Sequence, residues 1–208
     1  MGKYLVEMIG TFFLVLTIGL TVILGGSGVI PPLAIGAALM VMVYAGGHVS
    51  GAHYNPAVTL AVWLRGRCEA KDVVPYWIAQ IAGALVAAFV TRWLAAGTPI
   101  HAIAPQVGPA FIAELLFTFA LAWVVLNVAT ARATAGNSYF GLAIGMTVMA
   151  GAFTVGGISG GVFNPAVAVG ISTMGISPWP NLWIYLVAEL LGAAIAAIAF
   201  GLTHPDDR

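Results

Sequence analysis

Asn55-Pro56-Ala57-Val58 returns as Asn164-Pro165-Ala166-Val167, 109 residues further on, and the reading of this pair decides the fold. Asn is a favoured helix N-cap, and Pro is favoured at the first helical position, where its missing N–H costs nothing. Each copy therefore starts a helix. The apolar runs that follow, about 55–64 and 164–173, are half the ~20 residues a membrane crossing needs. They read as re-entrant segments.

The surrounding chain repeats with them. Tyr76-x3-Gln80-x2-Gly83 returns as Tyr185-x3-Glu189-x2-Gly192, Ile35-Gly36 as Ile144-Gly145, and Ser50-Gly51 as Ser159-Gly160, all offset by 109. Glu7-x3-Thr11-Phe12 returns as Glu114-x3-Thr118-Phe119, offset by 107. Six longer apolar stretches, about 4–24, 32–47, 73–96, 109–130, 138–156 and 180–202, read as membrane spans, the second and fifth of them short. Three spans per half is an odd number, so the halves, about 1–100 and 109–208, enter the membrane from opposite sides. The expected fold is an all-α membrane protein, a single domain over 1–208 with six spans and two half-helices in an inverted repeat.

Composition agrees. The chain has 208 residues, 61% hydrophobic and 7% charged, with seven Lys/Arg against seven Asp/Glu. A soluble domain carries about 25% charged residues. A soluble enzyme is excluded, and zero net charge leaves no basic patch for nucleic acid. The lipid bilayer is the expected surrounding, and the apolar N-terminal run lacks a small-residue cleavage site, so it is read as a retained span. Lys3, Arg65, Arg67, Lys71, Arg132 and Arg208 fall on one side of the six-span order and Arg92 on the other, which predicts cytoplasmic termini; a plasma (inner) membrane is the expected location. Trp63, Trp77, Trp93, Trp179 and Trp183 sit near span ends, where indoles favour the interface, and packing alone explains each of them equally well. Cys68, the single cysteine, has no partner for a disulfide or a metal set. No cofactor, metal or catalytic residue is expected.

The inversion brings two helix N-termini together near the midplane. Each contributes roughly half a positive charge, a field that repels cations without any ionised side chain. The Gly-rich approaches, Gly46 to Gly51 and Gly156 to Gly161, suit irregular backbone lining a wet cavity, with carbonyls offered along it. Such a site suits a neutral, hydrogen-bonding permeant. Two unrelated helix caps would not share a repeat offset.

With these residues in view, His48-Val49-Ser50-Gly51-Ala52-His53-Tyr54-Asn55-Pro56-Ala57-Val58-Thr59 resembles the first signature loop of the aquaporin (major intrinsic protein) family. Ile158-Ser159-Gly160-Gly161-Val162-Phe163-Asn164-Pro165-Ala166 resembles the second, and the likeness extends over the whole chain. It implies a passive channel for water and small uncharged solutes that excludes ions, one pore per protomer, and a homotetramer. Asn55 and Asn164 match the pore-centre asparagines. The carbonyls of Gly51, Ala52 and His53, and of Gly160, Gly161, Val162 and Phe163, match a backbone ladder. Glu7 and Glu114 match carboxylates that brace the re-entrant loops, as a buried intramembrane carboxylate needs donors around it.

The departures bear on the solute. The family usually has Arg directly after the second Asn-Pro-Ala, and this chain has Val167. The matching filter positions are Ile35, Ala152 and Gly161, all small or apolar. Some plant vacuolar members resemble it in having Val there, and those pass water with small neutral solutes. The Arg-Asp pair of glycerol facilitators is absent too, since Ala168 follows Val167. A channel mainly for ammonia, urea, glycerol or hydrogen peroxide is the alternative within the class. An ion-coupled secondary transporter is the alternative outside it, although it would carry intramembrane Asp, Lys or Arg. Glu189 stands where the family commonly has proline. It reads as a protonated carboxyl hydrogen-bonded in the bundle, with a pH-sensitive gate as the other reading.

Overall fold

The computed structural model describes residues 1–25 and 28–207. Arg208, assigned to the basic side from sequence, lies outside them. Among the described residues six helices are long and apolar enough to cross a membrane. In chain order the helices are α1 Gly2–Ile23, α2 Ile30–Ser50, α3 Pro56–Leu64, α4 Ala70–Leu94, α5 Val107–Val125, α6 Phe140–Ser159, α7 Pro165–Met174 and α8 Leu182–Thr203. A π turn over Leu126–Thr130 extends α5. The half-helices α3 and α7 have 9 and 10 residues.

The second and fifth spans are longer than the sequence implied. α2 and α6 run 21 and 20 residues, through the glycine-rich segments whose composition suits irregular backbone. At 1.5 Å per residue each covers roughly 30 Å, the thickness of the hydrocarbon core. They stop at Gly51 and Gly160, whose φ angles of 85° and 100° are left-handed. That conformation ends a helix at little cost only in glycine. The non-helical backbone is thereby cut to a few residues before each Asn.

Small residues let the helix pairs approach closely. A Cβ on Gly83 of α4 would overlap the Met8 carbonyl of α1, and one on Gly192 of α8 would lie 2.5 Å from the Leu115 carbonyl of α5. The two crossings are repeat mates. At the α2–α6 crossing, Gly36 and Gly145 each face the other's carbonyl. Gly83→Ala must push two backbones apart, an overpacking cost of about 2 kcal/mol or more. Thermal unfolding in detergent is expected at a clearly lower temperature for Gly83→Ala and for Gly192→Ala, while Gly2→Ala, with nothing within 4 Å, leaves it unchanged.

Outside the three buried glutamates, most charged residues gather at one end. Lys3 pairs with Asp72 at 2.6 Å, and Tyr4 donates to the same carboxylate. Asp207 binds Arg65 at 2.7 Å and Arg132 at 3.1 Å, with Arg67 at 3.6 Å. The Arg132 backbone N–H donates to Asp207, and with the guanidiniums it holds the Asp207 carboxyl below the usual carboxylate range. The tie is therefore present above that range and lost as the pH falls through the lowered value. At the other end Arg92 donates to the Met174 carbonyl, placing a cation on the C-terminus of α7. Trp77 takes the packing role of the two readings open to it: its indole N–H donates to the Pro56 carbonyl and braces α3.

Candidate functional site

Each Asn caps its own half-helix. Asn55 Oδ1 accepts from the Ala57 N–H at 2.8 Å and the Val58 N–H at 3.4 Å. Asn164 Oδ1 accepts from Ala166 at 2.9 Å and Val167 at 3.4 Å. The amide nitrogens cross over. Asn55 Nδ2 donates to the Phe163 carbonyl at 2.8 Å, and Asn164 Nδ2 donates to the Tyr54 carbonyl at 2.9 Å. The N-termini of α3 and α7 are thus tied together, and each amide keeps a second N–H for something else. The Phe163 carbonyl, expected among the free acceptors, spends a lone pair on this tie. The Tyr54 carbonyl does the same and was not singled out in the sequence.

The loops that present these asparagines follow one backbone pattern twice. Ala52, Tyr54 and Phe163 have φ near +51°, and Gly161 has φ +64°. Non-glycine residues in that region cost about 1 kcal/mol or more each, and persist only where the surroundings hold them. Buried carboxylates do so here. Glu7 accepts from Ser50 Oγ, the His53 N–H, the Tyr54 N–H and Gln80 Nε2, at 2.6–2.9 Å. Glu114 accepts from the Val162 N–H at 3.0 Å and the Phe163 N–H at 2.7 Å. With the loop N–H groups turned inward to carboxylates, the loop carbonyls turn the other way. Tyr76 and Tyr185 close the loop starts by donating to the Ser50 and Ser159 carbonyls, both at 2.8 Å.

Among the described residues no protein donor is recorded on the carbonyls of Gly51, Ala52, His53, Gly160, Gly161 or Val162. Ala52, His53, Gly160, Gly161 and Val162 line a cavity of about 240 Å³, together with Asn55 and Asn164. Ile35, Ala152, Gly161 and Val167 line the same cavity, and a Cβ on Gly161 would sit 3.3 Å from the Ala152 Cα. No Asp, Glu, Lys or Arg lines it among the described residues. A wider vestibule of about 850 Å³, with Arg67, Glu69, Asp72 and Arg132 in its wall, opens at the charged end. His53 and Val125 border both spaces, so the two meet there.

His53 is placed by Thr59, whose Oγ1 lies 3.1 Å from Nδ1. That hydroxyl already donates to the Asn55 carbonyl and accepts from Gln80. With its one hydrogen on the Asn55 carbonyl, Nδ1 of His53 donates to Thr59; with it on Nδ1, the ring accepts. Sequence reading missed the aliphatic wall, including Leu121, Val148 and Ile103. Ile103 reaches the site from the connection before α5, where its N–H donates to the Ile176 carbonyl. No periodicity marks that segment.

Residues 1–200 match the family model described as Major intrinsic protein. Among curated proteins, the chain is 37% identical over 216 residues to Aquaporin NIP1-3 of Oryza sativa subsp. japonica, an alignment covering 99% of this chain and 75% of that protein. It is 36% identical over 217 residues to Glycerol uptake facilitator protein-like 6 of Lactiplantibacillus plantarum, covering 100% of each. Among solved structures, the aquaglyceroporin from Plasmodium falciparum superposes with a TM-score of 0.80 at 23% identity, covering 95% of this chain and 94% of that one. An identity that low speaks to the fold alone.

Proposed function

The chain belongs to the major intrinsic protein family and is a channel for water and small neutral solutes; on that premise we propose that its narrowest stretch admits solutes larger than water. The observation that carries this is the wall at Val167. Ile35, Ala152, Gly161 and Val167 border one cavity with no charged side chain among them. Where an Arg would add bulk and fixed donors, a valine leaves width and an apolar face. The solutes are the small neutral ones with hydrogen-bonding groups: urea, glycerol, ammonia and hydrogen peroxide, alongside water.

In this reading the free carbonyls of both loops replace the permeant's lost water contacts in succession. The spare N–H of Asn55 and of Asn164 orients an oxygen passing the centre. Glu7 and Glu114 work at one remove, by holding the loop N–H groups so that the carbonyls face the lumen. Ions are refused because the facing helix ends hold positive potential where water is stripped away. No enzymatic step is part of this function, and the relatives are channels rather than ion-coupled transporters.

The clustering of basic residues at one end supports a cytoplasmic placement of both termini, and the reading places the channel in a plasma (inner) membrane. The relatives' family supports a homotetramer with one pore in each protomer. Stopped-flow light scattering on proteoliposomes tests the reading, comparing osmotic water flux with urea and glycerol entry. Both solutes are expected to enter faster than into protein-free vesicles. Entry of water alone would overturn the proposal.

A further inference from the structure

Glu189 of α8 is fully buried, and neither of its carboxyl oxygens has a well-formed hydrogen bond. Gly192, one turn further along α8, packs on the Leu115 carbonyl of α5, which sets Glu189 beside the Glu114 carboxyl as Gly83 on Met8 sets Gln80 beside Glu7, and the Asn164 backbone also faces it. Glu114 is itself fully buried and holds the second loop through the Val162 and Phe163 N–H groups. Two carboxylates side by side away from water cannot both be ionised, because like charges at that depth repel with no solvent to screen them.

The repeat mate of Glu189 shows what the position does. Gln80 lies 109 residues earlier, and its Nε2 donates to the loop-holding carboxylate Glu7 at 2.8 Å. A glutamate at the same place can donate to Glu114 only if it carries a hydrogen. A carboxylic acid and a carboxamide are nearly the same size, and each then presents one donor to the carboxylate in front of it. In the first half Gln80 also reaches the Thr59 hydroxyl at 3.0 Å. The mate of Thr59 is Ala168, so the hydroxyl that Gln80 shares its donors with has no counterpart in the second half.

We propose that Glu189 and Glu114 form a proton-binding site, in which one proton held by Glu189 is donated to Glu114 and thereby positions the second re-entrant loop. Glu189 is a positioning residue. It touches no permeant and acts on the lumen through Glu114, Val162 and Phe163. On the two helices that bring the pair together, α5 and α8, the one further titratable residue among the described residues is Tyr185, which interacts with Glu189 and whose hydroxyl donates to the Ser159 carbonyl. Neither α3 nor α7, which also pack on α8, carries one. Loss of the shared proton leaves two facing negative charges, which drives Glu114 and the loop it holds away from α8.

The test uses the full chain in liposomes at neutral pH, read by infrared difference spectroscopy and by water flux. Wild type is expected to show the carbonyl stretch of a protonated carboxylic acid, slow to exchange in deuterium oxide. Glu189→Gln is expected to lose that band and keep folding and flux, because the amide donates as Gln80 does. Glu189→Leu is expected to lose both band and flux. At strongly alkaline pH wild type loses flux reversibly and Glu189→Gln does not. A wild type without the band, a band that persists in Glu189→Gln, or equal alkaline loss in both proteins would each overturn the proposal. The infrared readout is independent of which solutes permeate, so it fails or stands separately from the function proposed above.

Discussion

Asn164→Asp is expected to turn a cation-tight channel into one that conducts sodium and potassium. The carboxylate keeps the cap on α7, since it accepts from Ala166 and Val167 as the amide oxygen does. What it loses is the N–H that Asn164 donates to the Tyr54 carbonyl. What it adds is a full negative charge between helix ends that together supply about one positive charge. A unit change in charge about 4 Å from a passing ion, at an effective dielectric constant near 20, is worth about 4 kcal/mol. That corresponds to roughly a thousandfold in cation occupancy at the centre. Asn55→Asp is expected to do the same through the Phe163 carbonyl. Conductance in planar bilayers is the readout, with Asn164→Ser as the neutral control that stays tight. If both Asp variants fold and remain non-conducting, the facing helix ends are not what excludes cations.

Val167→Arg is expected to separate solute flux from water flux. Val167 lines the cavity with Ile35, Ala152 and Gly161, so a long planar cation there crosses the opening. Among the described residues no protein group donates to the carbonyls of Gly160 and Gly161, which are placed to accept its N–H groups. Urea and glycerol entry should fall about tenfold or more relative to water, which asks for only about 1.4 kcal/mol of added barrier. Val167→Leu adds bulk without charge, and a smaller fall in that variant apportions the effect between width and electrostatics. A solute-to-water ratio unchanged by Arg would move the selective step elsewhere, with the His53–Val125 junction the next place to look.

The parts of this molecule that the sequence reveals are those the repeat writes twice. Asn55 and Asn164, Glu7 and Glu114, and Gly83 and Gly192 stand out because one physical demand is met in both halves. A helix start, a loop-holding carboxylate and a close crossing each leave the same residue type at the same spacing. The glycines of Gly46–Gly51 and Gly156–Gly161 mislead for a local reason. Their low helix propensity points to irregular backbone. Packing overrides it, as where Gly46 makes room for the Tyr54 ring against α2. The crossed amide bonds are hidden because each joins residues about 110 positions apart. Trp77 carries no mark that separates an interfacial indole from one aimed at the Pro56 carbonyl. Glu189 is visible as a departure, yet its meaning depends on facing Glu114, which only the packing of α8 on α5 supplies.

The central claim is a passive, cation-tight opening wide enough for neutral solutes beyond water. It is tested most directly by glycerol and urea entry into wild-type proteoliposomes, measured across a range of concentration gradients with and without imposed sodium and proton gradients. The account predicts entry above that of protein-free vesicles, rising linearly with the solute gradient and indifferent to either ion. Entry that saturates and follows an ion gradient, or vesicles that pass water and exclude both solutes, would contradict it.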